Sequence, residues 1–312
     1  MSRGHGDSAG SAATEAGRSS RDDPTTAVRD SRARHIAFCT LAVLVSLWVL
    51  ARVVFGLLEV GLMWLPYETL EPILEGHADS AAELEAHRSH FMSIGIVAWA
   101  IMLAVAAQAR RPHRREAQMV WAIVLAVSST IFHGLSGATG RWLLEQGTLL
   151  VPILALALLH PRARNLYRLP THHRSMLGLA IVAAGPWLVF AVTQAQRQWR
   201  NLAGDIHAEP EHWSIVALMA VTIGAAALIG AGDRPGWRLP AWFAAVASII
   251  WAVHSLAFPE AASAATTPWA VGAICWGIAF AATTRNRQRR AAMATGVGTA
   301  VPSPSPGSQG KP

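Results

Sequence analysis

The sequence predicts an all-α polytopic membrane protein, with eight transmembrane helices arranged as two parallel four-helix repeats. Three observations predict it. Apolar runs of the length needed to cross a hydrocarbon core about 30 Å thick recur along the chain. Hydrophobic residues make up 52% of the chain and charged ones only 14%, against roughly 25% charged in an average soluble domain. The segments between runs alternate between basic and acidic.

The first run, 36–57, follows a Ser-, Gly- and Arg-rich stretch, 1–35, with too little apolar content to bury a core. That stretch reads as a disordered cytoplasmic tail, too long and polar for a signal-peptide n-region, so run one is an uncleaved helix. The second run, 91–109, opens just after His87 and His90. "S80-A-A-E83" upstream is a capping-box pattern that starts this helix near residue 80. From Glu83, His87 and His90 are i+4 and i+7, about 40° and −20° away on the helical wheel, so all three share one stripe. Arg111-Pro112 then marks a turn, and run three covers 118–136 with His133 near its end. The fourth run, 146–160, is the shortest and completes a first repeat over 36–160.

A basic linker, 161–174, leads to the second repeat, 175–284. Run five, 175–194, carries Gly185-Pro186, which predicts a kink. Run six, 213–231, follows Pro210, which suits a first helical turn, and that turn favours a neutral His212. Runs seven and eight cover 241–258, with His254, and 268–284. The remaining 285–312 ends in "TAVPSPSPGSQGKP" and reads as a second disordered cytoplasmic tail.

Charge sets the expected topology. The segments on the side of the two tails hold 21 Arg and Lys against 7 Asp and Glu; the opposite segments hold 4 Arg against 12 acids. Short Arg-rich loops stay cytoplasmic, which places both termini inside. The net charge of +7 is thereby a topology signal, and a nucleic-acid partner is excluded. The Arg-over-Lys and Ala bias suggests a bacterium, hence its plasma (inner) membrane. The two cysteines, Cys39 and Cys275, form no CxxC and read as small core residues.

The repeat shows in spacing. From His90 the offsets to Arg111, Trp121 and His133 are 21, 31 and 43; from His212 to Arg234, Trp242 and His254 they are 22, 30 and 42. His77-Ala-Asp79 and His207-Ala-Glu209 echo each other upstream. Four helices per half give parallel repeats related by a pseudo-twofold axis along the membrane normal. A two-helix hairpin returns to the side where it began, so His90, His133, His212 and His254 belong to one, outer, surface.

These four histidines, with His87 and Glu83 beside them, are the expected metal ligands. Imidazole suits Zn, Cu, Fe and Ni, with Zn or Cu favoured here for redox, metal handling or metal-assisted chemistry. His133 and His254, about one turn inside apolar runs, are the strongest, because ionisable groups there usually face a bundle or watery cavity. Asp205, Glu209, Glu211 and Glu260 are further acidic groups near them. Each histidine also has a bland reading, as an interfacial side chain hydrogen-bonded to loops or headgroups. The first alternative is b-type haem, with His90/His133 and His212/His254 as axial pairs and Arg52, Arg88 or Arg141 meeting propionates. The second is a small-solute transporter in which the histidines are proton-linked gates without metal. A third class, an assembly or scaffold partner, would not need the histidines.

"S129-T-I-F-H133" followed by Glu145 resembles one motif of the alkaline-ceramidase superfamily of membrane zinc hydrolases. It would imply a zinc site, but the resemblance covers under twenty residues. The family's late His-x3-His motif has no counterpart, since run eight has no histidine and run seven only His254. No P-loop, G-x-S-x-G or G-x-G-x-x-G context is present, and no catalytic set is assigned. Trp48, Trp64, Trp187, Trp199, Trp237 and Trp269 lie mostly near run ends, as interfacial anchors.

Overall fold

The computed structural model describes residues 24–70, 72, 81–135, 140–200 and 211–296. His77, Asp205, His207, Glu209 and Pro210 lie outside the described residues, as do 1–23 and 297–312. The chain is all-helical: α1 (Pro24–Leu62), α2 (Tyr67–Leu70), α3 (Ala81–Ala106), α4 (Glu116–Leu135), α5 (Gly140–Leu159), α6 (Ala163–Leu166), α7 (Arg174–Arg200), α8 (His212–Ala231), α9 (Arg238–Ala257) and α10 (Thr267–Gly296). Two short 3-10 turns, Ala107–Ala109 and Pro112–Arg114, join α3 to α4. Among the described residues there is no strand, only an isolated bridge between His172 and Gly232.

Each predicted apolar run falls within a helix or the residues directly after it, apart from residue 136 of run three, which lies outside the described residues. Among the described residues, six helices are long and apolar enough to cross a membrane: Arg32–Leu62, Glu83–Ala109, Glu116–Gly134, Arg174–Arg200, His212–Ala231 and Arg238–Ala257. α5 contributes a shorter apolar stretch, Gly147–Leu159. α10 is not among the six; Ala, Gly and Thr dilute its apolar residues.

Helix extends beyond the apolar runs at both ends: residues 24–35 belong to α1 and 285–296 to α10. Ala and Arg are good helix formers, and each segment extends a helix already nucleated by the apolar run. α7 runs unbroken through Pro186, the predicted kink position.

Packing begins with α1 against α3. A Cβ on Gly95 would stand 2.7 Å from the Gly56 carbonyl oxygen and 2.6 Å from Val60, so two glycines let these backbones nearly touch. Within the first half, α3 contacts α1 and α4, and α5 contacts α4 and α1. Within the second, α8 contacts α7 and α9, and α10 contacts α9 and α7. The halves meet through α3 and α4 on one side and α8 and α9 on the other. Burial follows: 67% of the most apolar window is buried in both α3 and α8, but 28% in both α1 and α7.

Long-range contacts collect at two ends. At the arginine end, the Gln118 amide donates to Gly236 O (2.9 Å), Ala117 N–H to Pro235 O (3.0 Å) and His173 N–H to Ala231 O (2.9 Å). At the histidine end, Ala262 N–H donates to Ala86 O (3.1 Å), and Arg197 to Ala262 O (3.1 Å).

Candidate functional site

α3 starts at Ala81, one residue after the predicted cap, and carries His87 and His90 on its buried face, at 4% and 0% exposure. α8 starts at His212, after Glu211 in a left-handed conformation (φ 60°). Because α3 packs on α8, the three imidazoles meet. Ring centroids are 5.0 Å apart for His87–His212 and His90–His212, and 5.9 Å for His87–His90. Trp213 stands edge-on to His90 at 5.0 Å.

Hydrogen bonds define which nitrogen carries the proton in two of these rings. His87 Nδ1 lies 2.8 Å from the Glu83 carbonyl oxygen, which can only accept, so Nδ1–H donates and Nε2 is the lone-pair nitrogen of the neutral ring. His90 Nε2 lies 3.0 Å from Ser263 Oγ, whose single proton goes to Gln194 Oε1 at 3.3 Å. His90 therefore donates through Nε2 and keeps its lone pair on Nδ1. Glu83 joins this group through its backbone carbonyl to His87.

His133, on α4, is placed differently. Its Nδ1 is hydrogen-bonded to the Glu211 carboxylate, and both side chains are buried. The pair lies in the wall of a cavity of about 350 Å³, together with Arg52, Ser129 and His212. The remaining wall is apolar: Trp48 and small or aliphatic residues from α1, α3, α5 and α8. Arg52, named above as a propionate partner in the haem alternative, lines this cavity with its guanidinium 5.9 Å from the Trp48 ring.

His254 has a third setting. Fully buried, it stands edge-on to Trp64 at 5.4 Å and lies 4.8 Å from Phe258, with no hydrogen-bond partner for either ring nitrogen among the described residues. Arg88 spans the neighbouring gap. It donates to Met63 O (2.8 Å) and Leu65 O (3.0 Å), pairs with Glu85 (2.7 Å) and covers Phe258 at 4.4 Å. Its Nη1 thus serves the carbonyls that follow α1, and its Nε the Glu85 carboxylate.

The structure therefore joins His87, His90 and His212, sets His133 with Glu211, and surrounds His254 with rings. The contacts of His90 run to His212 and Ser263, and those of His133 to Glu211. Among the described residues, no three His, Cys, Asp or Glu side chains point at one ion-sized position as they stand. His90 and His212 are stacked at 28° instead.

Sequence reasoning missed Gln194 and Ser263, both buried. Ser263 sits in a loop with no motif. Gln194 had a signal: with Gln198 it forms an i, i+4 pair of amides near the end of an apolar helix, and both are buried. In comparison with known proteins, no family model matches the chain, and no curated protein or solved structure shows significant similarity to it.

Proposed function

We propose that this is an integral membrane protein of two parallel four-helix repeats whose outer end binds a transition-metal ion through His87, His90 and His212. The equivalence of neighbours in the two halves supports the repeat: α1, α3, α4 and α5 are in contact with one another as α7, α8, α9 and α10 are. So does the matched burial of α3 with α8, and of α4 (50%) with α9 (56%). Charge asymmetry supports cytoplasmic tails and an outward histidine end.

The carrying observation is the spacing of the three rings. Zn–N bonds of about 2.0–2.1 Å in a tetrahedral set put imidazole centroids roughly 5 Å apart, and the observed separations are 5.0, 5.0 and 5.9 Å. The hydrogen bonds from His87 to a carbonyl and from His90 to Ser263 are the orienting contacts that metal-binding histidines use. Binding requires the stacked His90 and His212 rings to turn about their side-chain torsions. Three protein ligands leave a coordination position for water or substrate.

Elemental analysis of protein purified in detergent without chelator, then incubated with zinc or copper, tests this. Stoichiometric metal in the wild type, lost in His90→Ala and His212→Ala but retained in His254→Ala, is the expected result. No retained metal after reconstitution rejects the reading, and iron with a Soret band transfers it to haem.

One observation favours a second reading. The buried, hydrogen-bonded His133–Glu211 pair lies in a cavity wall beside space for a small solute. Under it, the protein moves a small solute with proton-linked histidine gates, and its activity responds to pH and to His133→Gln but not to chelators.

A further inference from the structure

A second cavity, of about 560 Å³, opens between α7, α9 and α10. That is within the roughly 300–1,000 Å³ range of small-ligand sites. Its wall is aromatic: Trp187, Phe190, Trp251, Trp269 and Trp276 all line it. Along α7 it extends from Val182 to Arg197, about 22 Å at 1.5 Å per residue. It is therefore a slot and not a round pocket.

Two residues of this wall, Trp251 and Gln194, carry side-chain donors. Trp251 is 3% exposed, and its Nε1–H makes no hydrogen bond among the described residues. Leaving a buried N–H unpartnered is costly, a cost that a bound acceptor would remove. Gln194 is also 3% exposed; its amide oxygen takes the Ser263 proton, leaving its NH2 group as the donor on the cavity side. Trp251 lies six residues before the end of α9, about 9 Å inside it. That depth is below the ester carbonyls of a phospholipid, and an acyl chain would use neither donor.

We propose that this cavity binds an isoprenoid quinone. The flat ring lies against the tryptophan and phenylalanine faces, where offset or edge-on aromatic contacts are favourable. Its carbonyl oxygens accept from Trp251 Nε1 and Gln194 Nε2, and the tail follows α7 and α10 towards Val182. The Gln194–Ser263–His90 hydrogen bonds connect this cavity with the histidine group. The quinone site does not rest on metal binding there.

The test is titration of the full-length protein in detergent with decylubiquinone, followed by quenching of tryptophan fluorescence. Four of the 13 tryptophans line the cavity, so the expected quenching is strong and saturable. Gly272→Leu is the blocking variant: a Cβ there meets nothing within 4 Å, so the side chain enters the cavity without disturbing its neighbours. It should abolish saturable quenching at an unchanged unfolding midpoint. Trp251→Phe keeps the wall and removes one donor; affinity should fall about threefold to tenfold, measured on the remaining tryptophans. Linear quenching that is the same in wild type and Gly272→Leu would mean simple partitioning into the micelle, and would overturn the proposal. Quenching by brominated phosphatidylglycerol that decylubiquinone fails to displace would assign the cavity to lipid, and would overturn it equally.

Discussion

Arginine side chains terminate three helices by accepting no role as surface charges and donating instead to carbonyls that a helix end leaves unsatisfied. Arg88 reaches Met63 O and Leu65 O after α1, Arg34 reaches Leu158 O (3.1 Å) at the end of α5, and Arg287 reaches Gly230 O (3.2 Å) and Gly232 O (3.1 Å) at the end of α8. Each puts a cation at the negative end of a helix dipole. Arg88→Met should lower stability by about 1.5–3 kcal/mol through its charged hydrogen bonds, read as a lower unfolding midpoint in detergent. An unchanged midpoint would show that the loop holds without it. The two intramembrane histidines should separate in the same assay. His254→Phe exchanges a ring with no hydrogen bond for an apolar one among Trp64 and Phe258, and should leave the midpoint level or higher. His133→Phe strands the buried Glu211 carboxylate and should cost about 3–5 kcal/mol. In the sequence these histidines are equivalent by spacing; what differs is whether the Glu211 carboxylate or the Trp64 ring arrives from elsewhere in the chain.

Helices in this protein meet where side chains are absent. Besides Gly95 against Gly56, a Cβ on Gly230 would stand 2.7 Å from Ala241 Cα, and one on Gly277 would stand 2.9 Å from Ala245 O. These tie α1 to α3, α8 to α9 and α9 to α10. Sequence reasoning found no glycine seam because single glycines on different helices carry no GxxxG spacing; only the crossing points reveal them. Gly95→Ala should destabilise by about 1–3 kcal/mol through overpacking against backbone. Gly61→Ala is the matched control, since its Cβ meets nothing, and a helical Gly-to-Ala change in open space stabilises by about 0.5–1 kcal/mol. Equal effects from the two would show that α1 and α3 do not approach this closely. Tryptophan placement was also only partly legible. Trp64, Trp199 and Trp269 are exposed near helix ends as anchors would be, whereas Trp121, Trp187 and Trp251 are buried between helices. Hydropathy windows count tryptophan alike in both places.

For the whole molecule, the charge distribution proposes an orientation that labelling can test. In a background without Cys39 and Cys275, Glu260→Cys sits exposed at the histidine end, and Tyr167→Cys, 72% exposed, at the arginine end. A membrane-impermeant maleimide applied to intact cells should label the first. The second should react only after permeabilisation. The reverse pattern would invert the topology and put the histidine group in the cytoplasm. The helix directions themselves do not depend on this outcome.

By itself the sequence determined the helical class, the positions of the apolar runs and the gathering of His87, His90, His133, His212 and His254 near one end. Those follow from chain-local physics: burial in a bilayer demands long apolar helices, and a hairpin of similar helices returns to its starting side. Which histidines touch was decided by tertiary structure alone. The α3–α8 contact joins His90 to His212, the left-handed Glu211 before α8 meets His133, and Trp64 from the far end of α1 covers His254. These pairings span up to 190 residues of sequence and depend on how helices rotate about their own axes when packed. A one-residue change of helical phase, about 100°, would exchange every one of them.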